Sequence, residues 1–132
     1  MKTRDERMKE LENEEFYFIL FKGTQMPNNP HYDGIVMFKD IYYIDNEMGS
    51  KSYNDTFYIL KVEEFISKNL EVLETLDKSD SDIIEYPKNS FTNKFHIRID
   101  GQTFTVDRNL LNDEKEIKLY YDFIEKIEEI LK

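Results

Sequence analysis

The chain has two histidines, and both stand beside acids. His31-Tyr32-Asp33 lies in a stretch rich in Pro and Gly, and His96-x-Arg98-x-Asp100 lies in a stretch of alternating character. Imidazole with carboxylate can ligate a first-row metal or move a proton near neutral pH. His31, Asp33 and His96 are therefore the candidate set for a metal-binding or hydrolytic site. No ligand motif such as H-E-x-x-H joins them, Asp100 has a role of its own in an Asp-Gly turn, and Arg98 repels a cation. The plainer expectation is an exposed loop histidine and an exposed strand histidine, with no catalytic residue, no metal and no cofactor.

Other chemistries leave no trace. With no Cys among the 132 residues, thiol catalysis, disulfide scaffolding and thiolate metal sites are excluded. There is no phosphate-cradling glycine loop and no G-x-S-x-G elbow. Asp77, Asp80 and Asp82 cluster as acids do in a calcium loop, yet the required glycine is missing and Lys88, twelfth from Asp77, stands where the closing Glu belongs.

Acidity is the strongest chemical signal. The chain carries 28 acids against 18 bases, net −10. Residues 62–86 hold eight acids and two bases, net −6, whereas 87–111 lean to +2. On a helix, Glu63, Glu64, Glu71, Glu74 and Asp77, continued by Asp80 and Asp82, would present carboxylates at phosphate-like spacing. Such a surface steers toward a basic groove and occupies it as a nucleic-acid mimic. An amphipathic helix also carries charges on its outer face for solubility alone. Direct binding to nucleic acid is excluded by sign, because counterion release requires a basic surface.

These residues need elements to position them. Thr3-Arg4-Asp5-Glu6 is a capping-box pattern opening a short helix that offers only Met8 and Leu11 for packing, and so is expected to dock loosely. Residues 15–22 (EFYFILFK) are apolar on both alternating sets, the mark of a central strand covered twice. Residues 34–45 read as a hairpin turning at Lys39-Asp40, poor chemistry for a type I′ turn, and 46–56 as a polar loop. Val62, Phe65, Ile66, Leu70, Leu73 and Leu76 recur at helical period, and 77–82 form a linker. KFHIRI-DG-QTFTVD (94–107) is an Asp-Gly hairpin that pairs Ile99 with Gln102, Ile97 with Phe104 and Phe95 with Val106. From Asp113, a final helix of about 18 residues puts Ile117, Tyr120, Tyr121, Ile124, Ile127 and Leu131 on one stripe. The expected fold is a single α+β domain over 1–132, an antiparallel sheet of hairpins packed by a middle and a C-terminal helix.

Ten Phe and nine Tyr supply the core. Tyr42 and Tyr43 double as interface candidates if the 34–45 hairpin leaves a face uncovered, which would favour a homodimer or a homo-oligomeric structural subunit. The longest apolar run is six residues (16–21), and residues 2–15 are highly charged, so neither a membrane span nor a secretory leader is expected. A cytoplasmic protein follows. The absence of Ala beside abundant Lys, Asn, Ile, Tyr and Phe fits an AT-rich coding source, a low-GC bacterium or its phage. In size, charge and coding bias the chain resembles the small acidic proteins of mobile elements, phage inhibitors of host defence and toxin-immunity proteins. That resemblance implies a non-enzymatic inhibitor whose partner is basic, a nucleic-acid-handling enzyme or a toxin.

Overall fold

A computed structural model describes residues 2–23, 33–46, 48–79, 84 and 93–132. Six antiparallel strands form one sheet in the order β4-β3-β2-β1-β5-β6. They are β1 (Tyr17–Phe21), β2 (Gly34–Met37), β3 (Tyr42–Asn46), β4 (Gly49–Tyr53), β5 (Lys94–Ile99) and β6 (Gln102–Asp107). The helices are α1 (Arg4–Lys9), α2 (Thr56–Ser67), α3 (Leu70–Leu76) and α4 (Glu114–Ile130). The α+β class expected from the sequence is the one found.

β1 is central, hydrogen-bonded to β2 on one side and β5 on the other, and all five of its residues are buried. Phe18 and Leu20 face a core closed by α2, α3 and α4, while Tyr17, Ile19 and Phe21 join Val36 and Phe38 in a second layer. Met8, Leu11, Ile41, Tyr43 and Ile84 pack on that second layer. In the helical layer, Phe95 stacks on Tyr120 and Phe123 at ring separations of 5.4 and 5.3 Å. Burying a ring of this size contributes about 1.5–3 kcal/mol.

The Asp-Gly hairpin has the expected register, Ile99 opposite Gln102 and Ile97 opposite Phe104. Asp100 and Gly101 both take positive φ, 49° and 77°, as a type I′ turn requires. The other hairpin does turn at Lys39-Asp40, with the Phe38 N–H donating to the Ile41 carbonyl at 2.8 Å. Neither turn residue takes positive φ, so the type I′ demand never arises.

Three expectations are corrected. The polar segment 46–56 is not all loop, since Gly49–Tyr53 pairs with β3 as an edge strand. The helical stretch breaks at Lys68-Asn69, where the Asn69 side chain donates to the Phe65 carbonyl at 2.7 Å, competing locally with helix continuation. On α4, Phe123 takes the buried place and Tyr121 is exposed. The N-terminal helix is held by more than Met8 and Leu11: Arg4 pairs with Asp45, and Arg7 with Glu14 and Asp40. Its cap is as read, Thr3 Oγ1 accepting from the Glu6 N–H at 3.2 Å.

Candidate functional site

Both two-residue turns, Lys39-Asp40 and Asp100-Gly101, fall at the end of the sheet where β1 begins. A cavity of about 430 Å³ opens there, lined by Glu14, Glu15 and Phe16, by Lys39 and Glu63, and by Arg98 to Gly101. Four carboxylates and two cations line it. The cations are engaged. The Lys39 ammonium lies 3.4 Å from Glu15, and the Arg98 guanidinium donates to the carbonyls of Leu11 and Glu12 at 3.3 Å and of Glu14 at 3.5 Å.

Two carboxylates are left over. Neither Glu63 nor Asp100 forms an ion pair or a side-chain hydrogen bond with another described residue. Burial raises the Glu63 carboxyl above its ordinary value; nearby Lys39 opposes this and Asp100 adds to it. With its cations engaged elsewhere, the cavity leaves two carboxylates to accept, a lining suited to a further cationic side chain.

The acids read from the sequence are dispersed. Glu63 reaches the cavity. Glu64, on the exposed side of α2, is held by Lys68 at 2.7 Å, which lowers its pKa. Glu71 and Glu74 are exposed on α3, beyond the helix break. Asp77 accepts from the Ser79 and Thr105 N–H groups at 3.2 and 3.4 Å, so it covers part of the β6 edge. Asp80 and Asp82 lie outside the described residues, as does His31.

Of the histidine set, Asp33 and His96 are among the described residues. Asp33 lines a second cavity of about 300 Å³, with Lys22, Ile44 and Glu128, at the opposite end of the sheet. His96 sits mid-strand opposite Ile19 and is 1% exposed, so the expected exposed strand histidine is a buried one. Its Nδ1 lies 3.0 Å from Thr105 Oγ1, and its Nε2 has no partner among the described residues. Burial, aided by the Lys94 charge, pushes its pKa down to about 4. Among the described residues no three His, Asp or Glu side chains converge to hold a metal.

Of the tyrosine pair, Tyr42 is covered and Tyr43 is half-buried. Tyr42 is 3% exposed, stacked on Tyr53 at 5.0 Å, and Tyr43 is half-buried against the second layer. Met37 and Val36, the apolar partners of those two faces, are buried as well. The large exposed apolar side chains include Phe57, Leu60 and Met48 instead. Among the described residues no helix is long and apolar enough to cross a membrane.

Sequence reasoning missed Glu14, Glu15 and Lys39 as site residues. The available signal was the pair of two-residue turns; what was lacking was the strand order that puts them at one end. Comparison of the chain with protein-family models, curated proteins and solved structures found no match.

Proposed function

We propose that the protein is a non-enzymatic binding protein that engages and blocks a basic partner, with the acidic turn end of the sheet as its contact surface. The observation that carries this reading is the pair of carboxylates, Glu63 and Asp100, facing a cavity whose cations are already engaged. A lysine or arginine from a partner supplies the missing donors. The inhibitor or immunity type of role, a nucleic-acid-handling or toxin partner, and a cytoplasmic setting are supported by size, acidity and the lack of Cys. The nucleic-acid-mimic form of the reading rests on Glu71 and Glu74 rather than on the cavity.

The test separates these surfaces at equal net charge. The partner is captured from a lysate of the source cells and identified by mass spectrometry. Its association is then followed at several salt concentrations for the wild type, for Glu15→Lys/Glu63→Lys, and for Glu71→Lys/Glu74→Lys. The first pair is expected to slow association about tenfold or more and to flatten the salt dependence, with the second pair close to the wild type. The reverse order assigns binding to α3, and two unaffected variants remove the electrostatic reading altogether.

A further inference from the structure

The turn end holds one cation in an unusually complete seat. The Arg7 guanidinium donates to Glu14 through Nε at 3.0 Å and through Nη2 at 2.9 Å, and to Asp40 through Nη1 at 2.8 Å. Its carbon lies 4.1 Å from the centroid of the Phe38 ring. Two carboxylates and an aromatic face are what a planar, forked cation recognises and what an ammonium cannot match.

Seat and occupant are anchored differently. Phe38 is fully buried at the end of β2, Asp40 is on the β2–β3 turn, and the Glu14 carbonyl is tied to β5 through Arg98. Arg7 rides on α1, six residues long with none buried. A helix of that length has no stability of its own in water. The walls therefore stay with the sheet when the occupant leaves.

We propose that Glu14, Asp40 and the Phe38 ring form a guanidinium-binding site that Arg7 fills in the free protein and that an arginine of a basic partner takes over. This rests on the reading that the partner is basic. The site adjoins the cavity through Glu14, so an arginine seated there brings the neighbouring residues of the same partner to Glu63 and Asp100. Because Arg7 is tethered, a single incoming arginine competes with an effective concentration in the millimolar range. A partner with contacts to the cavity overcomes that competition.

The test vacates the seat and refills it. N-acetyl-arginine amide is titrated into wild type and Arg7→Ala, with N-acetyl-lysine amide as control. Binding is followed by amide NMR shifts at Phe38 and Asp40 and by thermal melting. Arg7→Ala is expected to show saturable shifts at millimolar probe, a raised melting temperature, and at least severalfold weaker response to the lysine probe; wild type shows none. A folded Arg7→Ala without saturable shifts, or with equal response to both probes, overturns the proposal. If Arg7→Ala does not fold, hydrogen exchange on the wild type decides. Amides of Arg7 and Glu10 exchanging well before those of β1 support a separable occupant, and exchange together with β1 overturns it. No protein partner enters these measurements, so their failure leaves the charge-reversal test of the turn end independent.

Discussion

His96 shows how far a single side chain can depart from its sequence context. Its neighbours Lys94, Arg98 and Asp100 suggest a solvated strand face, yet the ring lies against Phe21 with centroids 6.2 Å apart and is sealed from water. In the unfolded chain it titrates near 6.5; in the folded one, near 4. The unfolded state thus takes up the proton first as pH falls. Stability from this group is whole above pH 6.5, declines between 6.5 and 4, and levels off below, a loss of about 3 kcal/mol. His96→Val is expected to remove that component, read as the difference between the two proteins' denaturation midpoints from pH 7.5 to 4. Equal pH dependence in both sinks the assignment. Tyr120 offers the complementary case. Its hydroxyl is buried without a hydrogen-bond partner among the described residues, and burial raises its pKa. Tyr120→Phe removes an oxygen whose desolvation nothing offsets, and is expected to stabilise the fold by about 1 kcal/mol. A lower urea midpoint in the variant contradicts this.

Elements are decided by contacts that the local sequence only partly records. Gly34 opens β2 opposite Phe21, and a Cβ built there would sit 1.9 Å from the Leu20 carbonyl oxygen, which cannot swing aside. Gly34→Ala forces β1 and β2 apart and is expected to cost about 1–3 kcal/mol, measured by urea denaturation; a midpoint unchanged from wild type shows that the strands tolerate the side chain. The sequence alone places Gly34 at the start of the 34–45 hairpin and does not show the Leu20 carbonyl it must pass. The Asp-Gly hairpin was legible because turn chemistry and alternation agree within fourteen residues, and β1 because six apolar residues in a row need covering on both sides. β4 was not, because GSKSY is polar on both faces. Among the described residues it is an edge strand paired only with β3, and Lys51 on such an edge discourages further pairing. The break at Asn69 was hidden because the apolar period continues through it. Of the candidate site, Glu63 was legible as an acid but not as a cavity wall, since its neighbours there come from residues 14–16, 39 and 98–101.

For the whole molecule, the net charge of −10 acts on the fold and on α1 in opposite senses. Like charges spread over the surface repel one another and weaken the compact state, whereas α1 is attached through the oppositely charged pairs Arg7–Glu14, Arg7–Asp40 and Arg4–Asp45. Asp40 is 68% exposed, so its pair is open to screening; the Arg4–Asp45 pair, at 16% and 7%, is sheltered. Salt shortens the range of exposed interactions from about 10 Å at 0.1 M to about 3 Å at 1 M. Raising NaCl across that interval is therefore expected to increase the melting temperature, because the −10 is screened, and to speed hydrogen exchange at the amides of Arg7 and Glu10, because the attachment of α1 is screened as well. Their N–H groups donate within the helix to Thr3 and Arg7 carbonyls, so faster exchange there reports opening of α1 while the β1 amides slow with the rising global stability. Exchange at Arg7 and Glu10 that slows in step with β1 shows α1 to be held by Met8 and Leu11 rather than by charge. The divergence, in contrast, makes the N-terminal segment the part of the molecule that ionic conditions, or a competing cation, can detach without unfolding the rest.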